Sequence, residues 1–491
     1  MNVQALAIFI GDQRVGVLFQ YRMQGADVVT RFVADDAYAR QGNAPVVSAA
    51  YVADSAEDQA AFWADIRSEP LNGRYSPQNG WLLPAFFQNL LPEGVFRDHV
   101  ARVRGCDPKD HFEMLAACGA DLPGNVYARP VELSRDELAQ YVTQNQDALE
   151  MTVTADPMDQ GVSLSGVQPK LGVIRQGERY VGRTRDHDTH IIAKLPVVGQ
   201  PLLPELEALS LQLAQVVGVT VCEAYLEPLA HLAAEHGYDL GDADAQTQFL
   251  AVVRYDRQPG RRIHCEDFAQ VLGGMPEQKY QVATYLDVAA VLMAFPSLGE
   301  PAVHELLRRM AVNEMLGNPD MHLKNMGLIY PDGRTPVLAP AYDIVAYAAY
   351  HPCQGHAMRI MPTDMMPRSV VKSLAAAQAS TTTPSVADIG GSVIAAGKVT
   401  PGAETAPRPA TNAKAIVKPA LSPAVLRAFC GYLRIPEKPA AKAVGDAVKA
   451  ACAQWPALIE KATLTPRQKQ NLMAHFEAHP MVKSVRARAG R

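Results

Sequence analysis

Between Val303 and Leu338 the chain passes from a strongly apolar helical stretch, Val303–Leu316, into a short polar loop and then a hairpin. The loop reads Gly317-Asn318-Pro319-Asp320-Met321-His322-Leu323-Lys324-Asn325. The hairpin signal is Met326–Tyr330, a Pro331-Asp332-Gly333-Arg334 turn and Thr335–Leu338. A polar segment held between a buried helix and a strand pair suits an α+β chain in which helices and antiparallel strands segregate.

The rest of the chain fits that class. Ala5–Ile10, a polar Gly11–Arg14 turn and Val15–Phe19 predict an opening hairpin. Trp81–Leu91 is strongly apolar and stops at Pro92-Glu93-Gly94, and Val95–Val103 and Asp110–Ala117 predict short helices. We place a first domain at about 1–130. The polar stretch 131–160 carries a helix-start pattern at Leu133–Glu137. Short apolar runs at Leu171–Ile174, Tyr180–Gly182 and His190–Leu195 then predict an antiparallel sheet, and Phe249–Tyr255 a further strand. Glu205–Val217 is helical, with Leu206, Leu209, Leu213 and Val216 on one face. Tyr280–Gly317 and Ser422–His479 are helical too, whereas 372–420 is rich in Ala, Ser, Thr, Pro and Gly and reads as a flexible insertion. The basic tail, Lys483, Arg486, Arg488 and Arg491, is expected to fray.

Composition removes several classes. With 491 residues, 46 basic and 51 acidic side chains, the net charge of −5 does not suit a dedicated nucleic-acid coat. Apolar runs such as Leu286–Phe295 fall short of the ~18–20 residues of a membrane span, and the N-terminus lacks a signal-peptide pattern. The seven cysteines form no close pair, so free thiols in a reducing cytoplasm are expected rather than disulfides or a zinc site.

Asp320 and Asn325 share the D-x4-N spacing of a kinase catalytic loop, where the Asp accepts the substrate hydroxyl proton and the Asn binds magnesium. Beyond the hairpin, Tyr342-Asp343 stands where kinases place a second metal ligand. Upstream, Lys194 ends the apolar run His190–Leu195 as the phosphate-holding lysine does in V-A-I-K, and a helix carrying Glu205 and Glu207 follows. Taken singly, Asp320 reads equally as a helix-terminal loop residue, Asp343 as a turn carboxylate and Lys194 as an edge-strand charge. Their order along the chain separates the readings, because strand lysine, helix, catalytic loop, hairpin and metal aspartate follow in the kinase sequence.

With these residues in hand, the chain resembles the HipA family of bacterial toxin serine/threonine kinases. Ser163-Leu164-Ser165-Gly166-Val167-Gln168-Pro169-Lys170 is similar to its phosphate loop, and Thr189–Lys194 to its T-H-I-x-K strand. Arg254-Tyr255-Asp256-Arg257, Glu266–Gln270 and Asp320–Asn325 resemble its R-[FY]-D-R, E-D-[MF]-x-Q and D-x-H-x-K-N signatures. Asp12–Gly16 and Asn89–Glu93 resemble its N-terminal domain. The fold implied is a bilobed protein-kinase-like one, with a small β-rich N-lobe, an added N-terminal domain and a mainly helical C-lobe. The implied divisions are 1–130, an N-lobe at 131–260, a C-lobe at 261–371, the insertion at 372–420 and a helical remainder at 421–491.

The resemblance implies roles residue by residue. Asp320 accepts the proton, Asn325 and Asp343 bind Mg2+, and Lys194 meets the ATP phosphates and pairs with Glu207. Ser165, Gly166, Val167, Gln168, Pro169 and Lys170 cradle phosphate; Pro169, where the family commonly has Glu, removes one N–H donor. Val253, Arg254 and Tyr255 form the hinge to adenine, Tyr342 completes the nucleotide site, and His322 and Lys324 line the phosphate side. Ser163, or Ser165 beside it, is the implied autophosphorylation site. The implied partners are a HipB-like helix-turn-helix antitoxin, which carries most operator DNA contact, and a protein substrate such as glutamyl-tRNA synthetase or another aminoacyl-tRNA synthetase. A cytoplasmic kinase toxin is the expectation, with an aminoglycoside-type small-molecule kinase and a catalytically silent co-repressor as its rivals.

Overall fold

The computed structural model describes residues 2–22, 28–65, 67–132, 150–151, 158, 162–164, 168–184, 187–244, 246–353, 355–371 and 420–489. The Leu133–Glu137 helix start, the loop residues Ser165, Gly166 and Val167, and nearly all of the 372–420 insertion lie outside them. Two compact units form: Met1–Val197 with Cys222–Val282 and Leu323–Tyr342, and Val198–Val221 with Ala283–His322 and Asp343–Arg491. The helix at Leu203–Val216 therefore belongs to the second unit, and the strand pair after Asn325 to the first.

The first unit opens with the expected hairpin, Asn2–Ile10 against Gln13–Arg22, and adds two strands, Val28–Ala34 and Val126–Pro130, at its edges. A bulge falls at Ile8/Phe9, and Gly16 opposite Ile8 lies so close to the Val33 carbonyl that no side chain fits there. Leu6, Ile8, Leu18 and Phe32 meet Phe86, Phe87, Phe112 and Leu115 in one core. That core is what the apolar run Trp81–Leu91 serves, with only Ala85–Gln88 of it helical.

A second sheet in this unit is antiparallel throughout, in the order Ala224–Pro228, Gln248–Val253, Ile191–Lys194, Lys170–Gln176, Arg179–Gly182. Alternation sends Ile191 and Ala193 into a core with Val173, Tyr180 and Phe249, which leaves Ile192 and Lys194 on the opposite face. A third sheet joins His264–Asp267, Gly327–Tyr330 and Val337–Leu338, so the predicted hairpin gains a partner strand from far upstream.

The second unit is helical. Leu203–Val216, Tyr285–Ala294, Gly299–Leu316, Pro423–Leu433, Glu437–Lys461, Pro466–Ala478 and Pro480–Ala489 are its main helices. Thr284 with Asp287 and Thr465 with Gln468 form capping boxes, and Ser422 caps a helix whose first residue is Pro423. Trp455 is fully buried, packs tilted against Phe476 with ring centroids 4.9 Å apart and donates its indole N–H to Leu213 O. The tail is helical to Ala489 rather than frayed, because Val482 is buried in this unit. Among the described residues no helix is long and apolar enough to cross a membrane, and all seven cysteines are free thiols.

Candidate functional site

In the first unit the strand register sets Lys194 directly across from Lys170. Both are nearly buried, at 6% and 7% exposure, on one face of the sheet. The exit of the predicted phosphate loop is fastened beside them: Leu195 N donates to Pro169 O at 2.9 Å, and Gln168 Nε2 to Leu195 O at 3.4 Å. Pro169, which gives up an N–H, thus still anchors the loop through its carbonyl.

Ser163 is 1% exposed, and its hydroxyl donates to Leu90 O. Its amide donates to Asp121 O at 3.1 Å. The hydroxyl implied as the modified group therefore faces the interior in this conformation, and the segment Val162–Leu164 must leave its seat before it can receive phosphate.

The hinge segment is built by ion pairs. Arg254 Nε and Nη2 donate to Asp256 at 3.1 and 2.8 Å, and Nη1 to Asp121 Oδ1 at 3.1 Å. Arg257 donates to Asp121 at 2.8 Å and to Asp256 at 2.6 Å. Burial alone would raise the Asp256 carboxyl, but Arg254 and Arg257 hold it well below the usual range. The Arg254 side chain is thus committed to Asp121, Asp256 and Thr189. Val253 N is used as well, donating to Glu223 O at 2.8 Å. Tyr255 and Tyr342 pack ring to ring at 5.7 Å, and the Tyr342 hydroxyl donates to Lys324 O at 2.7 Å.

Lys324 is buried as well. Its ammonium donates to Asn89 O and Oδ1 at 3.0 Å each and to Asp267 at 2.9 Å, with Glu93 at 3.6 Å. Those contacts use all three of its donors, and the side chain is 1% exposed. Lys324 clamps the Asn89–Glu93 turn to the strand His264–Asp267. Asn325 closes the short 3₁₀ turn Leu323–Asn325 and is 9% exposed.

In the second unit the helix Gly299–Leu316 stops at Gly317, which takes the left-handed conformation (φ 62°) where Ala348 leaves no room for a side chain. A chain of amides then shapes the loop. Asn313 Nδ2 donates to Arg309 O, Asn318 Nδ2 to Asn313 Oδ1 at 2.6 Å, and Asp320 N to Asn318 Oδ1 at 3.1 Å. Tyr285 OH adds a bond to Met321 O at 2.6 Å. The Asp320 carboxylate remains about one-third exposed, 4.0 Å from His322 Nε2.

Three of the predicted carboxylates belong to this unit. Ser210 accepts Ala346 N at 2.9 Å, which seats the segment after Asp343 on the helix that carries Glu207. Burial, and then the negative charges of Asp320, Asp343 and Glu207, push the Tyr347 phenol well above its ordinary value. All three acids thus act on one phenol. Asp343 is itself in the left-handed region at φ 57°, a strained position for a non-glycine residue and one that Asp tolerates better than most. Lys194 falls in the first unit and Glu207 in the second.

Sequence reading did not single out Asn313, Asn318, Tyr347 or Asp121. Asn313 and Asn318 flank a helix-ending Gly, a usable signal; Tyr347 and Asp121 carry none, because their partners are remote in the chain.

A five-stranded antiparallel sheet with a buried strand lysine, and a helical unit presenting a polar loop rimmed by carboxylates, define a kinase-like α+β fold. The chain matches the HipA N-terminal domain over residues 6–129 and the HipA-like C-terminal domain over residues 162–398. It belongs to the HipA family. Curated relatives include two Sinorhizobium fredii proteins. "Putative kinase Y4dM" is 36% identical over 280 residues, 56% of this chain and 65% of that protein. "Putative kinase Y4mE" is 31% identical over 287 residues, 54% of this chain and 64% of that protein. The chain thus spans a little under two thirds of their length. Among solved structures, the Shewanella oneidensis HipA, HipB and operator DNA complex matches with a TM-score of 0.59 at 18% identity, over 98% of this chain and 99% of that one.

Proposed function

We propose that this chain is an ATP- and magnesium-dependent serine/threonine protein kinase that acts as the toxin of a toxin–antitoxin pair. The observation that supports the reading is the Asp320 loop, whose backbone Asn313 and Asn318 fix while the Asp320 carboxylate stays about one-third exposed. Carboxylate and amide oxygens suit magnesium, and Lys194 is the strand lysine that would meet the phosphates. Asn325 and Asp343 would hold the metal, which when bound neutralises charge on the transferred phosphoryl group. Asp320 orients the attacking hydroxyl and takes its proton as the oxygen bonds to the γ-phosphorus and ADP departs with the bridging oxygen.

The solved relative is a HipA complex with HipB and its operator DNA, which supports a HipB-like antitoxin as partner; we infer that this partner is a helix-turn-helix protein that makes most of the DNA contact. The substrate class we infer is a protein serine, an aminoacyl-tRNA synthetase in particular. The test is incubation of the purified chain with γ-labelled ATP, magnesium and a bacterial lysate, followed by phosphoamino-acid analysis. Label on protein serine or threonine is expected. Label confined to an added aminoglycoside, or no label at all, would overturn the reading.

A further inference from the structure

Asp121 follows the helix His111–Cys118, has no exposed surface, and bonds to the phosphate-loop stem, the entry of the lysine strand and the Arg254–Arg257 segment. Its carbonyl accepts the Ser163 amide at 3.1 Å, which seats the stem of the phosphate loop. Its Oδ2 accepts the Thr189 amide at 3.1 Å and the Thr189 hydroxyl at 2.8 Å, at the entry to the strand that ends in Lys194. Its Oδ1 accepts Arg254 and Arg257 at 3.1 and 2.8 Å, on the hinge. Arg254 closes the ring by donating to Thr189 Oγ1 at 2.9 Å, while its own amide donates to His190 O at 3.0 Å.

Stability alone does not account for such a cluster, since buried ion pairs recover little more than their desolvation cost and apolar packing serves as well. What a fully hydrogen-bonded buried carboxylate does supply is a fixed geometry among the elements it joins. A strand is stiff, so a shift at Thr189 is carried along to Lys194. Burial would raise the Asp121 carboxyl, but Arg254, Arg257 and Arg262 hold it at about 2, and the charge persists at every working pH.

We propose that Asp121 is the positioning residue of the nucleotide site, holding the phosphate-loop stem, the lysine strand and the hinge in a single register. The inference rests on the kinase reading above. Asp121 touches no reacting atom; it acts through Ser163, Thr189 and Arg254.

The test uses the full chain with two substitutions. Asp121→Asn removes the charge, and Thr189→Val removes only the hydroxyl that links Asp121 to Arg254, so that one variant survives if the other fails to fold. ATP affinity by calorimetry, KM and kcat for ATP, and hydrogen exchange at the Ser163 amide are read together. Thr189→Val is expected to weaken ATP binding and raise KM about tenfold with kcat within about threefold of wild type, because misplacement acts on binding before chemistry. Asp121→Asn is expected to shift both further and to speed exchange at Ser163. Unchanged ATP affinity and unchanged Ser163 protection in a folded variant would overturn the proposal, as would a fall in kcat with KM untouched. A wild-type chain that binds no ATP would overturn the kinase reading and this inference with it; a wild-type chain that binds and transfers, beside variants that match it, would overturn this inference alone.

Discussion

Replacing Lys324 with methionine keeps the length of the side chain and deletes its charge. The ammonium is 1% exposed and bonds to Asn89 twice and to Asp267, with Glu93 at 3.6 Å. Without it, Asp267 stays largely buried with no cation from Lys324, while Glu93 keeps Lys279 at 3.3 Å. Breaking a buried pair by removing one partner costs about 3–5 kcal/mol. At roughly 2–4 °C per kcal/mol for a domain of this size, thermal unfolding of the first unit should move down by about 6 °C or more. The assay is paired: thermal melts of Lys324→Met and of Lys324→Met with Asp267→Asn, beside ATP titration of each folded protein. The double variant should recover part of the loss, because the stranded carboxylate is gone. A drop below about 2 °C together with abolished ATP binding would refute the structural role and return Lys324 to the phosphates.

Two further predictions concern buried acids. Glu266 accepts the Ser48 hydroxyl, the Ala49 N–H and the Tyr330 O–H, yet burial pushes its carboxyl up to about 7. The folded chain therefore keeps a proton that the unfolded chain has lost above pH 4.5, and stability should fall as pH rises from about 4.5 to 7. Glu266→Gln should remove that slope, worth about 3 kcal/mol, in melts taken across the window; an unchanged slope would contradict the burial argument. Glu314, on the helix that leads to Asp320, behaves oppositely: burial would raise it, but His356, His479 and the Leu421 amide hold it at about 2. Its contribution is present above about pH 4.5 and lost as pH falls toward 2, so Glu314→Gln should flatten acid unfolding of the second unit.

Much of the fold was legible because its elements are periodic or apolar. The helices Gly299–Leu316 and Leu203–Val216 and the strands flanking Lys194 all announce themselves in short windows. His264–Asp267 does not, since a strand reading His-Cys-Glu-Asp has neither alternation nor β-branched residues and exists by pairing with Gly327–Tyr330. The helix at Pro480–Ala489 was hidden by its charges, although Val482 anchors it. At the site, residue types were readable and side-chain direction was not. Lys324 sits in a motif with Asp320, but its partners Asn89 and Asp267 lie 235 and 57 residues away. Arg254 likewise answers to Asp121, 133 residues upstream. Local spacing carries no information about contacts that long.

The most direct test of the central claim is Asp320→Asn measured in a single turnover with labelled ATP and magnesium. Asp320 is held by Asn318 at its amide and remains partly exposed, so the substitution should preserve the loop. Phosphoryl transfer should fall by about 10²–10⁴-fold while ATP affinity stays within about threefold, the mark of a lost proton acceptor. Transfer at the wild-type rate by the folded variant would contradict the account.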